Sequence, residues 1–508
     1  MGNRKVREFL AKNKELKNDK NAAQIQHKKG KLTARERLKY LLDLNSFVEL
    51  NAFAELQSNN LEDKKRAGDG VITGYGTINK KSVYVYAQDF PFMGGSMGEM
   101  HNKKIAHVME HALKTGCPCI GLLDSGGARI QEGISALDSG GRIFQLNTMS
   151  SGIIPQISAI LGPCAGIAVY SPALTDFILM VEKTSYMFIT GPDVIKTVTG
   201  ETINFEGLGG SQTHNEKSGV AHFMAEDEKE CLDMIKVLLS YLPQNNLESP
   251  PSTSGSSTRD TKKLESIVPD DPKKPYDMRD VISEVFDKRT FFEIQSTFAA
   301  NIVVGFARLN GSVVGIVANQ PKVLAGCLDI NSSDKISRFV RFCDCFSIPL
   351  INLVDVTGYL PGTSQEHKGI IRHGAKVLYA YSEATVPKIS LVLRKAYGGA
   401  YIALVSKDMG FDKVIAWPTA EIAVMGAEQA VNIINRKQLN GKNAQKIRAN
   451  LVSEYKEKYL NPYVAAKLGK VDMIIEPKET RNALIKSLEM MLSKREKRPA
   501  KKHGNMPL

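Results

Sequence analysis

Two stretches of this chain repeat one pattern at a fixed spacing. Strand-like VYVYAQD (83–89) leads into the glycine turn MGGSMG (93–98), then helix-like KIAHVMEHALKTG from Lys104, then the apolar strand PCIGLLD ending at Asp124. VVGIVAN (313–319) leads into LAGCLD (324–329), then KISRFVRFCDCFS from Lys335, then PLINLVD ending at Asp355. Lys104, Pro118 and Asp124 recur as Lys335, Pro349 and Asp355, each 231 residues later. Beyond each aspartate comes a loop, DSGGARIQE or DVTGYLPGTSQE, and then a glycine turn entering a helix-like run, GPCAGIAVYSPALTD (162–176) or KAYGGAYIALVSKD (395–408). Helix patterns alternating with apolar strands give βαβ units in each copy, which predicts a duplicated α/β fold.

A chain of 508 residues is too long for one core, in keeping with two lobes. Residues 242–275 are rich in Pro, Ser and Asp and lack apolar periodicity. They predict an N-terminal lobe over 1–245, a linker over 246–275 and a C-terminal lobe over 276–508. The net charge of +13 comes from the ends. Residues 1–40 hold 13 Lys/Arg against 4 Asp/Glu, and 494–502 hold six against one, so the body is neutral. A neutral body without a reader motif argues against nucleic-acid binding.

The remaining motifs exclude more than they assign. There is no GxxxxGK[ST] loop, and GDGVITG (68–74) spaces its glycines wrongly for a dinucleotide site, so no nucleotide site is expected. The seven cysteines include the C-x-C pairs Cys117/Cys119 and Cys343/Cys345, which do not match a zinc ribbon and read as small reduced core residues. His101, His107 and His111 read as a surface stripe, and no metal site is expected. Residues 143–175 carry no formal charge, but Pro155, Pro163 and Pro172 interrupt them. They read as buried strands and turns, so the expectation is a cytoplasmic protein with no transmembrane segment. GGSMG (94–98) fits the nucleophile pattern G-x-S-x-G, which would make Ser96 the nucleophile of a serine hydrolase, although Asp89-Phe90-Pro91 separates it from the preceding strand.

The glycine turns GPCAG (162–166) and YGGA (397–400) carry the chemistry best. Each leaves backbone N–H groups uncovered at a helix start, where they converge on negative charge and can form an oxyanion hole.

The strings DSGGARIQEG (124–133), MFITGPDVIK (187–196), NQPKVLAGCLDINSSDK (319–335), GIIRHGAK (369–376), RKAYGGAY (394–401) and WPTAEIAVMGA (417–427) resemble the β (carboxyltransferase) subunits of biotin-dependent acyl-CoA carboxylases. The resemblance extends to propionyl-CoA carboxylase β chains, methylmalonyl-CoA decarboxylase α subunits and the large transcarboxylase subunit. It implies two tandem crotonase-like (ClpP-like) β-β-α superhelix lobes, in a homo-oligomer that is usually a hexamer. The active site would lie where the N lobe of one subunit meets the C lobe of another, with acyl-CoA on the N lobe and biotin on the C lobe.

By the same resemblance the peptide joining Gly166 and Ile167 holds the thioester enolate oxygen, and Gly399 and Ala400 hold the ureido oxygen of biotin. Ser125, Gly126, Gly127, Ala128 and Arg129 shape the CoA side, and Gly398, Tyr401 and Ile402 line the substrate pocket. The chain has no biotin-attachment Met-Lys-Met and no ATP-grasp signature. The implied biotin therefore arrives on a separate carrier subunit and is charged by a biotin carboxylase.

Three positions depart from the family pattern. Ile167 replaces the second glycine of C-A-G-G-A, where a positive φ would strain a β-branched residue. Thr357 replaces the proline of D-V-P-G-F, and Ile402 follows G-G-A-Y where propionyl-specific members tend to have Asp. The implied function is carboxyl transfer to a short acyl-CoA, propionyl-CoA first, giving methylmalonyl-CoA. The alternatives are a methylmalonyl-CoA decarboxylase or transcarboxylase subunit and, more distantly, a serine hydrolase or an inactive CoA-binding scaffold.

Overall fold

The computed structural model describes residues 3–17, 20–57, 59–255, 259, 261–439 and 443–508. The chain divides into two compact units, Met1–Glu248 and Ser249–Leu508.

The first unit is built on one eight-stranded sheet. A short helix α1 (Ala34–Leu41) precedes β1 (Val48–Leu50), β2 (Val71–Ile78) and β3 (Lys81–Gln88). These three strands pair antiparallel, and the β2–β3 hairpin closes on Asn79 and Lys80, both with positive φ as a two-residue primed turn requires. Helix α2 (Glu99–Thr115) then crosses to β4 (Cys119–Ser125), and α3 (Ile134–Ser150) crosses to β5 (Gln156–Ala165). From β3 onward the pairing is parallel, as helical crossovers demand. Helix α4 (Ile167–Leu174) follows, then β6 (Phe177–Val181), β7 (Tyr186–Phe188) and β8 (Phe223–Ala225). The sheet order is β1-β2-β3-β4-β5-β6-β8, with β7 pairing the far end of β5.

The second unit repeats this plan with β9 (Phe292–Ile294), β10 (Ile302–Leu309), β11 (Ser312–Asn319), α5 (Ile330–Cys345), β12 (Leu350–Val356), α6 (Ile370–Glu383), β13 (Lys388–Tyr397), α7 (Gly398–Val405), β14 (Lys413–Ala416), β15 (Glu421–Ala423) and β16 (Met473–Ile474). Its sheet order is β16-β14-β13-β12-β11-β10-β9, with β15 on β13. The offset of 231 holds from β2/β10 through β4/β12, and one added residue makes it 232 at β5/β13. Each sheet is covered by helices over an apolar core. In the second unit the single tryptophan, Trp417, lies in that core, and its Nε1 donates to Thr480 Oγ1 at 2.9 Å.

Several segments differ from their sequence reading. Leu264 and Val268, inside the compositional linker 246–275, join the core of the second unit, because a short helical turn over Leu264–Ile267 bonds its backbone locally and points its apolar residues inward. His101 is fully buried and is not part of a surface stripe. His107 is about 240° around the helix from His101, whereas His111 is only about 40° from His107. His107 and His111 therefore share the outer face, their rings 4.5 Å apart, and His101 turns inward.

Of the seven free cysteines, four are buried and Cys345 is exposed. Burial pushes the Cys119 and Cys164 thiols up to about 12. Among the described residues no helix is long and apolar enough to cross a membrane, and no group of three or more His, Cys, Asp or Glu could hold a metal ion.

Candidate active site

The two glycine turns occupy matching positions in the two units. In each, the strand after the second crossover leads directly into a glycine with positive φ, Gly166 at 58° and Gly398 at 57°. An eight-residue helix starts at the same point. Ile167 and Gly399 are therefore equivalent, as are Ala168 and Ala400.

The positive φ falls on Gly166, so Ile167 keeps ordinary helical geometry without strain. Its side chain is part of the core packing, with Cδ1 3.2 Å from where a Cβ on Gly140 of α3 would stand. The isoleucine thus packs toward α3.

Gly166 N–H is taken by the carbonyls of Phe188 and Ile189, at 3.2 and 3.1 Å. The N–H groups of Ile167 and Ala168 open α4, and those of Gly399 and Ala400 lie in the first turn of α7, where no upstream helical carbonyl can accept them. Neither helix has a side-chain cap or an acidic residue in its first turn. The positive end of each dipole is left for a ligand.

The D-S-G-G-A-R segment packs behind the first turn. Ser125 is buried, and its Oγ accepts Gly127 N–H at 3.2 Å. Gly126 is exposed and donates to Gly94 O at 2.9 Å. Gly127 has φ 98°, and a Cβ there would fall 2.6 Å from Ala165 O, which fixes the distance between this loop and the turn. Ala128 bridges to Met97.

Arg129 is fully buried. It donates to Asp69 Oδ1 and Glu132 Oε1, both at 2.7 Å, and to Ser96 O at 2.8 Å. It braces the loop from below and is not presented to a ligand. Ser96 Oγ accepts from Arg129 Nε at 3.2 Å. A guanidinium donates and cannot take the hydroxyl proton, so no base activates this serine at that contact.

In the second unit Tyr359 borders the turn. A Cβ on Gly399 would lie 3.6 Å from its ring, and its hydroxyl reaches Gly374 O at 3.4 Å. Burial pushes its phenol up to about 12. Gly399 is exposed, Tyr401 is half-buried and Ile402 is exposed.

The structure adds charged groups that sequence reading passed over. Asp124 is fully buried, and its Oδ2 accepts from Lys31 Nζ at 2.5 Å and Arg37 Nη2 at 3.1 Å. Arg37 also pairs with Glu228 at 2.7 Å. Burial pulls the Lys31 ammonium below its ordinary value, against the pull of Asp124. In the second unit the equivalent Asp355 pairs with Arg394 Nε at 2.9 Å. The available signal was a lone aspartate closing an apolar strand in each copy.

The carboxyl transferase domain family matches residues 25–506. The methylmalonyl-CoA decarboxylase subunit alpha of Veillonella parvula is 57% identical over 487 residues, 95% of this chain and 94% of that one. The propionyl-CoA carboxylase beta chain of Saccharopolyspora erythraea is 54% identical over 500 residues, 95% of this chain and 92% of that one. The crystal structure of transcarboxylase 12S, described as a hexamer with methylmalonyl-CoA bound, superposes with a TM-score of 0.97 at 50% identity, covering 100% of this chain and 99% of that one. With a duplicated crotonase-like lobe and a family match over residues 25–506, this chain belongs to the carboxyl transferase domain family.

Proposed function

We propose that this chain is the carboxyltransferase subunit of a biotin-dependent acyl-CoA carboxylase, with propionyl-CoA as acceptor and methylmalonyl-CoA as product. The observation that carries this reading is the pair of uncapped helix starts, each delivered by a positive-φ glycine. The reaction develops negative charge on two oxygens, a thioester enolate and a ureido oxygen, and fixed N–H donors stabilise such charge by several kcal/mol.

On the first unit, Ile167 and Ala168 hold the thioester oxygen, and the D-S-G-G-A-R loop keeps that turn in place. On the second unit, Gly399 and Ala400 donate to the ureido oxygen. The residues present fit a ureido oxygen, because Gly399 is exposed and neither a side chain at 399 nor a side-chain cap covers the first turn of α7. Biotin, when bound, supplies the carboxyl group and the ureido nitrogen that removes the substrate α-proton. The protein contributes close, dry placement of the two reactants. Gly398, Tyr401 and Ile402 border the acyl group.

The biotin comes on a separate carrier subunit, and the chain works as a cytoplasmic hexamer in which the N lobe of one subunit meets the C lobe of another. The same turns serve the reverse reaction, and the Veillonella relative supports a methylmalonyl-CoA decarboxylase as the second reading. The partner subunits then decide the direction.

The test is incubation of the purified chain with methylmalonyl-CoA and free biotin. Biotin-dependent loss of the carboxylated thioester is expected. Binding of CoA esters without turnover, even when the carrier is supplied, would replace this reading with that of a binding scaffold.

A further inference from the structure

Both strands that end in an oxyanion turn carry a bulge, and the bulge sits opposite a buried aspartate. Along β4 and β5 the register runs Leu123 to Ile160 and resumes at Ser125 to Cys164. Along β12 and β13 it runs Val354 to Val392 and resumes at Val356 to Ala396. In each unit one residue, Asp124 or Asp355, faces three on the neighbouring strand, and the turn glycine follows within a few residues. Bulges re-aim a strand, and here the re-aimed strand delivers the helix start.

The aspartate fills the bulge in both cases. Asp355 Oδ1 accepts Lys395 N–H at 3.2 Å and its Oδ2 accepts Arg394 Nε at 2.9 Å, so two of the three bulge residues are tied to one carboxylate. Arg394 also donates to the carbonyls of Asp271 and Lys274, which fastens the entry segment of the second unit to the same point.

In the first unit the residues matching Arg394 and Lys395 are Gly162 and Pro163. Pro163 has no N–H, and Asp124 Oδ1 is a buried oxygen without a protein partner among the described residues. Gly162 makes room for cations brought from elsewhere: a Cβ there would stand 1.9 Å from Asp124 Oδ1 and 2.5 Å from Lys31 Nζ. Arg37 Nη2 bridges Asp124 Oδ2 and the bulge carbonyl of Leu161, each at 3.1 Å. Gln26 Nε2 reaches the same Asp124 oxygen at 3.3 Å.

We propose that Asp124 and Asp355 are positioning residues that set the two oxyanion turns separately, Asp124 the turn for the acyl thioester and Asp355 the turn for biotin. The proposal rests on the assignment of the two ligands made under Proposed function. Neither carboxylate touches substrate. Each acts by holding the bulge, and hence the glycine and the first helical N–H groups, in register.

The test uses the full-length chain and measures KM for methylmalonyl-CoA and for free biotin separately, with equilibrium titrations of propionyl-CoA and of biotin alongside. D355N is expected to raise the biotin constants by about 10- to 100-fold, the cost of a misplacement near 1 Å, and to leave the thioester constants within about twofold. D124N is expected to do the reverse. R394K, which keeps a charge on Asp355 but releases the entry-segment carbonyls, and K31M, which leaves Arg37 on Asp124, give the same split at smaller amplitude and serve if the asparagine variants do not fold. A variant that changes both ligands equally, or neither, while the parent chain binds both, overturns the proposal alone. A parent chain that binds neither ligand overturns the ligand assignment and this proposal with it.

Discussion

In the first unit the carboxylate behind the turn is met by Lys31 and Arg37, which lie upstream of the sheet. In the second it is met by Arg394, which belongs to the turn-bearing strand itself. The backbone outcome is the same: Gly166 and Gly398 have φ within a degree of each other. What the duplication preserves is the path of the main chain into each turn, and with it the direction of the first helical N–H groups. The charge that supports the path can move. A buried carboxylate must be paired, but its partner can come from any element that reaches it.

The largest effect that sharpens this comparison concerns the loops beside the turns. Gly127 and Gly358 are equivalent, but a Cβ on Gly127 strikes Ala165 O whereas one on Gly358 meets open space. Gly127→Ala is expected to lower kcat/KM for methylmalonyl-CoA about 100-fold by shifting the turn. Gly358→Ala carries only backbone strain, and its effect on kcat/KM for biotin, the ligand proposed above for that unit, should be roughly an order of magnitude smaller. Steady-state kinetics of both variants check this, and equal losses would break the argument from contact.

Next is Ile167. Its side chain packs toward α3, so Ile167→Gly should lower stability by about 2 kcal/mol through lost packing and a helical glycine. The kcat should change little, because the N–H is kept. A large gain in kcat would show that the isoleucine obstructs the first turn.

The third difference is a pH response confined to the first unit. His101 is neutral there, with its Nδ1 on Asp69 O at 3.0 Å and its Nε2 beside Gln88 at 3.3 Å. Burial, with Arg129 nearby, pulls it from 6.5 down to about 3. The folded state therefore binds fewer protons than the unfolded one. Its stability is complete above pH 6.5 and falls as the pH drops toward 3, by about 1.4 kcal/mol at pH 5.5. The matching residue in the second unit is Ser332, which does not titrate. Hydrogen exchange at pH 5.5 should show β3 and α2 losing protection relative to β11 and α5, and His101→Asn should remove the difference. The smallest effect is expected at Gly126, which is exposed and where a Cβ would make only an ordinary 3.5 Å contact with Gly94 O: Gly126→Ala should leave kcat/KM unchanged within error.

The duplication, the strand–helix alternation and the two turns were legible because they are local patterns repeated at one spacing. What lay out of reach depends on distance along the chain. Lys31 and Arg37 meet Asp124 from 93 and 87 residues away, and nothing in a basic N-terminal segment distinguishes a buried cation from a solvated one. Arg129 sits in a motif that suggested contact with CoA, yet its neighbours turn it inward. His101 faces inward because six residues along α2 turn it about 240° away from His107, an angle that a count of histidines in one helix does not convey.

One repeated feature bears on how the chain survives its own substrates. Lys104 and Lys335 are each buried beneath the hairpin of their unit, bonded to backbone carbonyls, and burial pulls their ammonium groups down to about 8 and about 7. An amine that releases its proton near neutrality is a good nucleophile, and a CoA thioester is an acyl donor. Both amines are out of solvent for as long as their lobe stays folded, so acyl marks at Lys104 or Lys335 would record past unfolding of that lobe.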